Sequence, residues 1–241
     1  MPDIGFVYVA DDAAFPYGAW EEAALRDHVV ALIGSLIEEH QPAAVVIACN
    51  TASTLVLPPL RERFSIPFVG TVPAIKPAAE QTKTGVVAVL ATPGTMKRDY
   101  TRDLIRSFAT SCHVRLVGAP ELARIAEERM RGEPVDREAI REQIAPCFVE
   151  VDGERTDIVV LACTHYPFLH DIMAEVAPWP AVWLDPAPAI ARRLATVLEE
   201  RAVERGGESI ATFTGKKPVP EPLVRLLAEH GLKAPGLTTF A

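Results

Sequence analysis

The sequence is short of basic charge: 24 Lys and Arg stand against 32 Asp and Glu, leaving 241 residues at a net charge of −8. That argues against the basic footprint of a nucleic-acid-binding protein. Cysteine is sparse, with 4 in all, and Cys49, Cys112, Cys147 and Cys163 show neither a CxxC nor a zinc-like spacing. A disulfide framework and a metal site are therefore not expected. No apolar run approaches the ~18 residues of a membrane span. The opening MPDIGFVYVADDAAF carries acids and no basic stretch, so a secretory leader is not expected either. No GxGxxG or GxxxxGK[ST] pattern occurs, and no lysine sits in a pyridoxal-phosphate context. No cofactor is expected. What remains is a cytoplasmic globular chain with free thiols.

Short β-rich runs alternate with amphipathic stretches. Strands are expected at Phe6–Ala10, Ala43–Ala48, Pro67–Gly70, Val86–Leu90, Val114–Val117, Ile158–Ala162, Ala181–Leu184 and Ser209–Thr214. Helices are expected at Trp20–Glu39, Thr54–Phe64, Ala74–Gln81, Met96–Ala109, Leu122–Arg131, Arg137–Val151, Ala189–Arg205 and Glu221–His230. That alternation implies βαβ units and mostly parallel sheets.

The chain also repeats itself. Residues 45–51 read VVIACNT and residues 159–165 read VVLACTH, with the two thiols 114 residues apart. A Pro-Ala-Ile follows each: Pro73 comes 24 residues after Cys49, and Pro188 comes 25 after Cys163. Several matches in one order point to two related α/β units. The expected fold is two pseudo-symmetric three-layer α/β domains, 1–72 with 183–241 and 73–182, facing each other across a cleft.

In parallel α/β sheets, ligands bind beyond the carboxyl ends of the strands. Both Cys49 and Cys163 sit there, followed by Asn50-Thr51 and Thr164-His165 as donors near helix starts. Such a place favours a carboxylate and a reactive thiol. Two thiols on opposite sides of one cleft suit a two-base reaction: one removes a proton from one face of a carbon, and the other returns one to the opposite face. For a single cysteine on a buried strand, an inert core residue is the alternative; the repeated context favours the reactive reading. Cys112 and Cys147 lack that context. His165 reads as a proton partner of Cys163, whereas His28, His40, His113, His170 and His230 carry no such signal. Phe15-Pro16-Tyr17-Gly18 could wall a small pocket, with a surface turn as the alternative. Thr92 and Thr95 flank a turn suited to an anion or to a helix N-cap.

VIACNTAST, VPAIKPAA, VLATPGT and DIVVLACTHYPFL, in this order and with FPYG ahead of them, resemble glutamate racemase, within the aspartate/glutamate racemase superfamily, over nearly the whole chain. The resemblance implies interconversion of L- and D-glutamate without cofactor or metal, supplying D-glutamate for peptidoglycan, often as a homodimer. It places the catalytic cysteines on Cys49 and Cys163. Glutamate-holding positions fall on Tyr17, Gly18, Asn50, Thr51, Thr164 and His165, and the threonines of a second loop on Thr92 and Thr95. A helix glutamate that supports the second thiol falls on Glu127. Family members open with a strand and an Asp-Ser-Gly-x-Gly-Gly loop that this sequence does not contain. Asp11 and Asp12 belong to a different loop and are not read as its replacements. One strand fewer in the first domain implies an exposed apolar edge. A two-cysteine racemase for aspartate or a hydantoin, and a glutamate-binding scaffold without turnover, are the other readings.

Overall fold

The computed structural model describes residues 4–199 and 206–234. The chain starts in one lobe with β1 (Val7–Ala10), α1 (Glu22–His40), β2 (Val45–Ile47), α2 (Asn50–Arg63) and β3 (Phe68–Gly70). It crosses to a second lobe built from α3 (Ile75–Gln81), β4 (Val86–Ala91), α4 (Pro93–Met96), α5 (Asp99–Phe108), β5 (His113–Gly118) and α6 (Leu122–Met130). That lobe continues through α7 (Arg137–Ile144), β6 (Glu150–Val151), β7 (Glu154–Arg155), β8 (Ile158–Ala162), α8 (His170–Val176) and β9 (Val182–Leu184). The chain returns with α9 (Ala187–Glu199), β10 (Ile210–Phe213) and α10 (Glu221–Glu229).

The second lobe is the expected three-layer sandwich. Its four strands run parallel in the order β5-β4-β8-β9. Side chains alternate across a strand. On β8, Val159 and Leu161 enter one core with α6, α7 and α8, while Ile158, Val160 and Ala162 enter the other with α3. Both faces are covered, so β4 and β8 must be apolar throughout, as their buried VVAVLA and IVVLA runs are. Each fully buried Val or Leu there contributes about 1.5–3 kcal/mol. Val182–Leu184 pairs with β8 in this sheet.

The first lobe differs from a single continuous sheet. β1 pairs in parallel with β10, β2 pairs in parallel with β3, and the two pairs stand apart. Their facing edges line a cavity of about 1540 Å³ that continues into the cleft between the lobes. Phe6, Val7 and Tyr8 along β1 are 39%, 43% and 45% exposed. α1 closes one side; Glu21 caps it by accepting the Ala23 and Ala24 N–H groups, and Gln41 ends it in the left-handed region.

Two expected helices change. Arg137–Val151 stops at Ile144, because Pro146 cannot continue the helical ladder. Beyond it the chain makes the β6–β7 hairpin around Asp152-Gly153, both at positive φ. Met96–Ala109 begins earlier, as a short turn capped by Thr92, and restarts at Asp99. Of the helix expected at Ala189–Arg205, residues 200–205 lie outside the described residues.

The lobes meet where α6 ends. Gly132 adopts φ +86°, and a Cβ there would stand 2.7 Å from Pro222 of α10. Gly132→Ala therefore combines a left-handed backbone with an inter-lobe clash, and is expected to cost about 1–3 kcal/mol. Gly153, at φ +83° with nothing within 4 Å of its Cβ position, is the control. Urea unfolding of both alanine variants isolates the inter-lobe term, and equal losses would show that none exists.

Candidate active site

Cys49 is placed by a helix start. β2 ends, and α2 begins four residues earlier than the periodicity of its apolar positions indicates, because Cys49 itself is the N-cap. Its Sγ accepts the Ala52 N–H at 3.4 Å. The thiol thus faces the positive end of α2. Cys163 directly follows β8, is 8% exposed, and lies beside His165, whose Nδ1 is 3.9 Å from Sγ. Thr164 Oγ1 donates to the Ala48 carbonyl at 3.0 Å, which ties the two cysteine loops together across the lobes.

Burial pushes both thiols up. Cys163 rises from an ordinary 9.0 to about 12; the charge of Cys49 adds to this, and the backbone N–H groups of His165 and Tyr166 oppose it. Cys49 rises for the same reason, against the pull of the Ala52 and Thr51 N–H groups and the Thr51 hydroxyl. That Cys163 feels the charge of Cys49 places the two thiols in one electrostatic site.

Behind Cys163 runs a chain of contacts. His165 Nε2 meets Glu127 Oε1 at 3.1 Å, and Arg131 Nε donates to Glu127 Oε2 at 3.2 Å. Burial would raise the Glu127 carboxyl, but the bond and charge of His165 and the charge of Arg131 outweigh it and hold it below the ordinary range. In the tautomer that gives Nε2–H to Glu127, Nδ1 is an acceptor facing the thiol.

Hydroxyls and an amide fill the floor between the lobes. Thr51 Oγ1 is 3.0 Å from both Thr92 Oγ1 and Thr95 Oγ1. Thr51 and Thr92 line the cavity, whereas Thr95, 1% exposed, sits behind them and orients them. Asn50 is 2% exposed, and neither its Oδ1 nor its Nδ2 has a partner. A buried unpaired amide is costly, so its polar atoms suit a polar ligand in the cleft. Gly18 packs directly on the second lobe: a Cβ at Gly94 would stand 3.2 Å from the Gly18 Cα. Tyr17 and Gly18 line the same cavity as the cysteines.

Residue patterns missed the support of that wall. Asp11 Oδ2 accepts the Tyr17 hydroxyl at 2.5 Å and pairs with His28 Nε2 at 2.6 Å, while Oδ1 accepts the Thr214 hydroxyl at 2.6 Å. Burial opposes ionisation of Asp11, yet these three bonds and the His28 charge lower its carboxyl. Burial and the Asp11 bond raise the Tyr17 phenol, which stays neutral. His28, read from sequence as without a role, thus supports the Asp11–Tyr17 wall from behind, with the Trp20 ring tilted against it at 5.1 Å. Thr214 lies 203 residues from Asp11, beyond any local pattern. Cys112 packs against one core and Cys147 is fully buried in the other, away from the cleft. Among the described residues no cluster of three His, Cys, Asp or Glu is placed to hold a metal ion, and no helix is long and apolar enough to cross a membrane.

Comparison with known proteins points one way. Residues 7–194 match the Asp/Glu/Hydantoin racemase family. The glutamate racemase of Brucella anthropi is 62% identical over 236 residues, which cover 96% of this chain and 84% of that protein. The crystal structure of Escherichia coli glutamate racemase, solved in complex with L-glutamate and the activator UDP-MurNAc-Ala, superposes with a TM-score of 0.89. It is 40% identical, and the match covers 100% of this chain and 91% of that one. A glutamate racemase isoform from Bacillus anthracis, 23% identical, shares the fold with a TM-score of 0.80 over 98% of this chain and 89% of its own.

Proposed function

This chain belongs to the Asp/Glu/Hydantoin racemase family as an amino-acid racemase of the glutamate racemase type, and from that premise we propose that it interconverts L- and D-glutamate through Cys49 and Cys163. The observation that carries the reading is the pair of thiols at two strand ends of facing lobes, held together by the Thr164–Ala48 hydrogen bond.

One cysteine acts as thiolate and the other as thiol. The thiolate takes the α-proton: the Cα–H bond breaks, an S–H bond forms, and the electron pair passes into the α-carboxylate. The opposite thiol then delivers its proton to the other face of Cα, so the two sulfurs exchange states with each inversion. A thiol raised by burial is a rarer thiolate but a stronger base, and this narrows the gap to the weakly acidic Cα–H. On the Cys163 side, Nδ1 of His165 can hold the thiol proton, with Glu127 fixing the ring. Asn50, Thr51 and Thr92, with the Tyr17–Gly18 turn, are the polar groups proposed to hold the carboxylates and the ammonium group. The Cys49 N-cap position, at the positive end of α2, favours charge developing on the carboxylate.

The same kinship supports a role in supplying D-glutamate for peptidoglycan, a cytoplasmic location and a homodimer. The test is incubation of L-glutamate in heavy water. α-Proton exchange by NMR, together with decay of the circular dichroism signal to zero, is expected. Glutamate binding by calorimetry without exchange would replace the reading with a binding scaffold, and exchange of aspartate alone would change the substrate.

A further inference from the structure

The His165–Glu127 pair leaves one carboxylate oxygen over, and Arg131 takes it. Arg131, the C-cap of α6, follows Glu127 by four residues, one turn on, so the two side chains meet on one face. Its Nε donates to Oε2 at 3.2 Å, which leaves Oε1 to meet His165 Nε2. Neither side chain is freely solvated: they are 28% and 26% exposed. The root of Arg131 is also fixed. Its backbone N–H caps the helix on the Glu127 and Glu128 carbonyls, and the next residue, Gly132, presses the chain against Pro222 of the opposite lobe. An arginine on a mobile surface turn would add little to an ion pair; here the backbone of Arg131 is fixed and its Nε is bonded to Glu127.

We propose that Arg131 is a positioning residue for racemisation. It fixes the rotation of the Glu127 carboxylate, so that Oε1 points at His165 and the imidazole stays against Cys163. Arg131 does not touch the reacting carbon, and its effect falls on the proton transfer at Cys163 and not on the one at Cys49. The inference rests on the racemase reading above.

The enantiomers have equal free energy, so kcat/KM must fall by the same factor in both directions. The two proton transfers are not slowed equally. Arg131→Met is expected to lower kcat about ten- to a hundredfold, with KM within about twofold. Arg131→Lys, which can still donate one hydrogen bond, should recover most of the loss. With α-deuterated substrates, the isotope effect on kcat/KM should grow for the enantiomer whose proton Cys163 removes and shrink towards one for the other. In a Glu127→Gln background, Arg131→Met should add nothing further. Unchanged kcat in Arg131→Met, or a loss that tracks the unfolded fraction by circular dichroism with isotope effects as in the parent, would overturn the inference. Absence of exchange in the parent protein would instead overturn the racemase reading.

Discussion

Cys49→Ala and Cys163→Ala are each expected to stop inversion, with kcat lowered about 100- to 10,000-fold. Both variants stay folded. Cys49→Ala removes an N-cap acceptor, about 1 kcal/mol, and Cys163→Ala trims one buried atom beside the Tyr166 turn. What separates a two-base mechanism from general loss of function is the residual chemistry. One remaining thiol can take a proton from its own face and return deuterium to that same face, without inversion. Each variant should therefore exchange the α-proton of only one enantiomer, and the two variants should select opposite ones. NMR of L- and D-glutamate incubated separately in heavy water reads this directly. Racemisation at the parental rate by both variants would sink the mechanism.

Stability is expected to fall steeply between about pH 9 and pH 12. Burial raises Cys147 and Cys163 from 9.0 to about 12, and it raises Tyr166 well above its ordinary 10.0. In each case the folded state keeps a proton that the unfolded chain gives up at lower pH. The stabilisation is fully present below the unfolded value near 9 and is lost as pH rises through the folded value. Three units on one fully buried thiol set an upper bound of about 4 kcal/mol. Cys147 lies away from the cleft, so Cys147→Ala separates this effect from activity. Its urea midpoint should be lower than the parent's at pH 8, and the gap should narrow at pH 10–11. Parallel declines of the two proteins with pH would show that Cys147 does not ionise on unfolding.

The second lobe was legible because its rules are local. β4 and β8 are apolar on both faces, and only a central strand of a covered parallel sheet needs that pattern. The paired ACN and ACT segments disclosed both thiols, since a strand end followed by polar residues reads the same wherever it occurs. Glu127 came only through the family resemblance; it lies 38 residues from His165, on a helix whose other residues give no hint of it. The Arg137–Val151 helix was over-extended because the apolar spacing continues past Pro146, although the missing N–H does not allow the ladder to.

By itself, the sequence determined most element types, the duplicated α/β plan and the place of the two cysteines at strand ends, because side-chain period, turn chemistry and motif repetition act within tens of residues. Tertiary structure decided which distant groups meet. Asp11 with Thr214 across 203 residues, Gly132 against Pro222, and the separation of β1–β10 from β2–β3 follow from how the lobes pack, and nothing within a short window encodes them. Cys49 and Cys163 come from different lobes, tied by the Thr164–Ala48 bond, because a cleft between two lobes must be assembled from both.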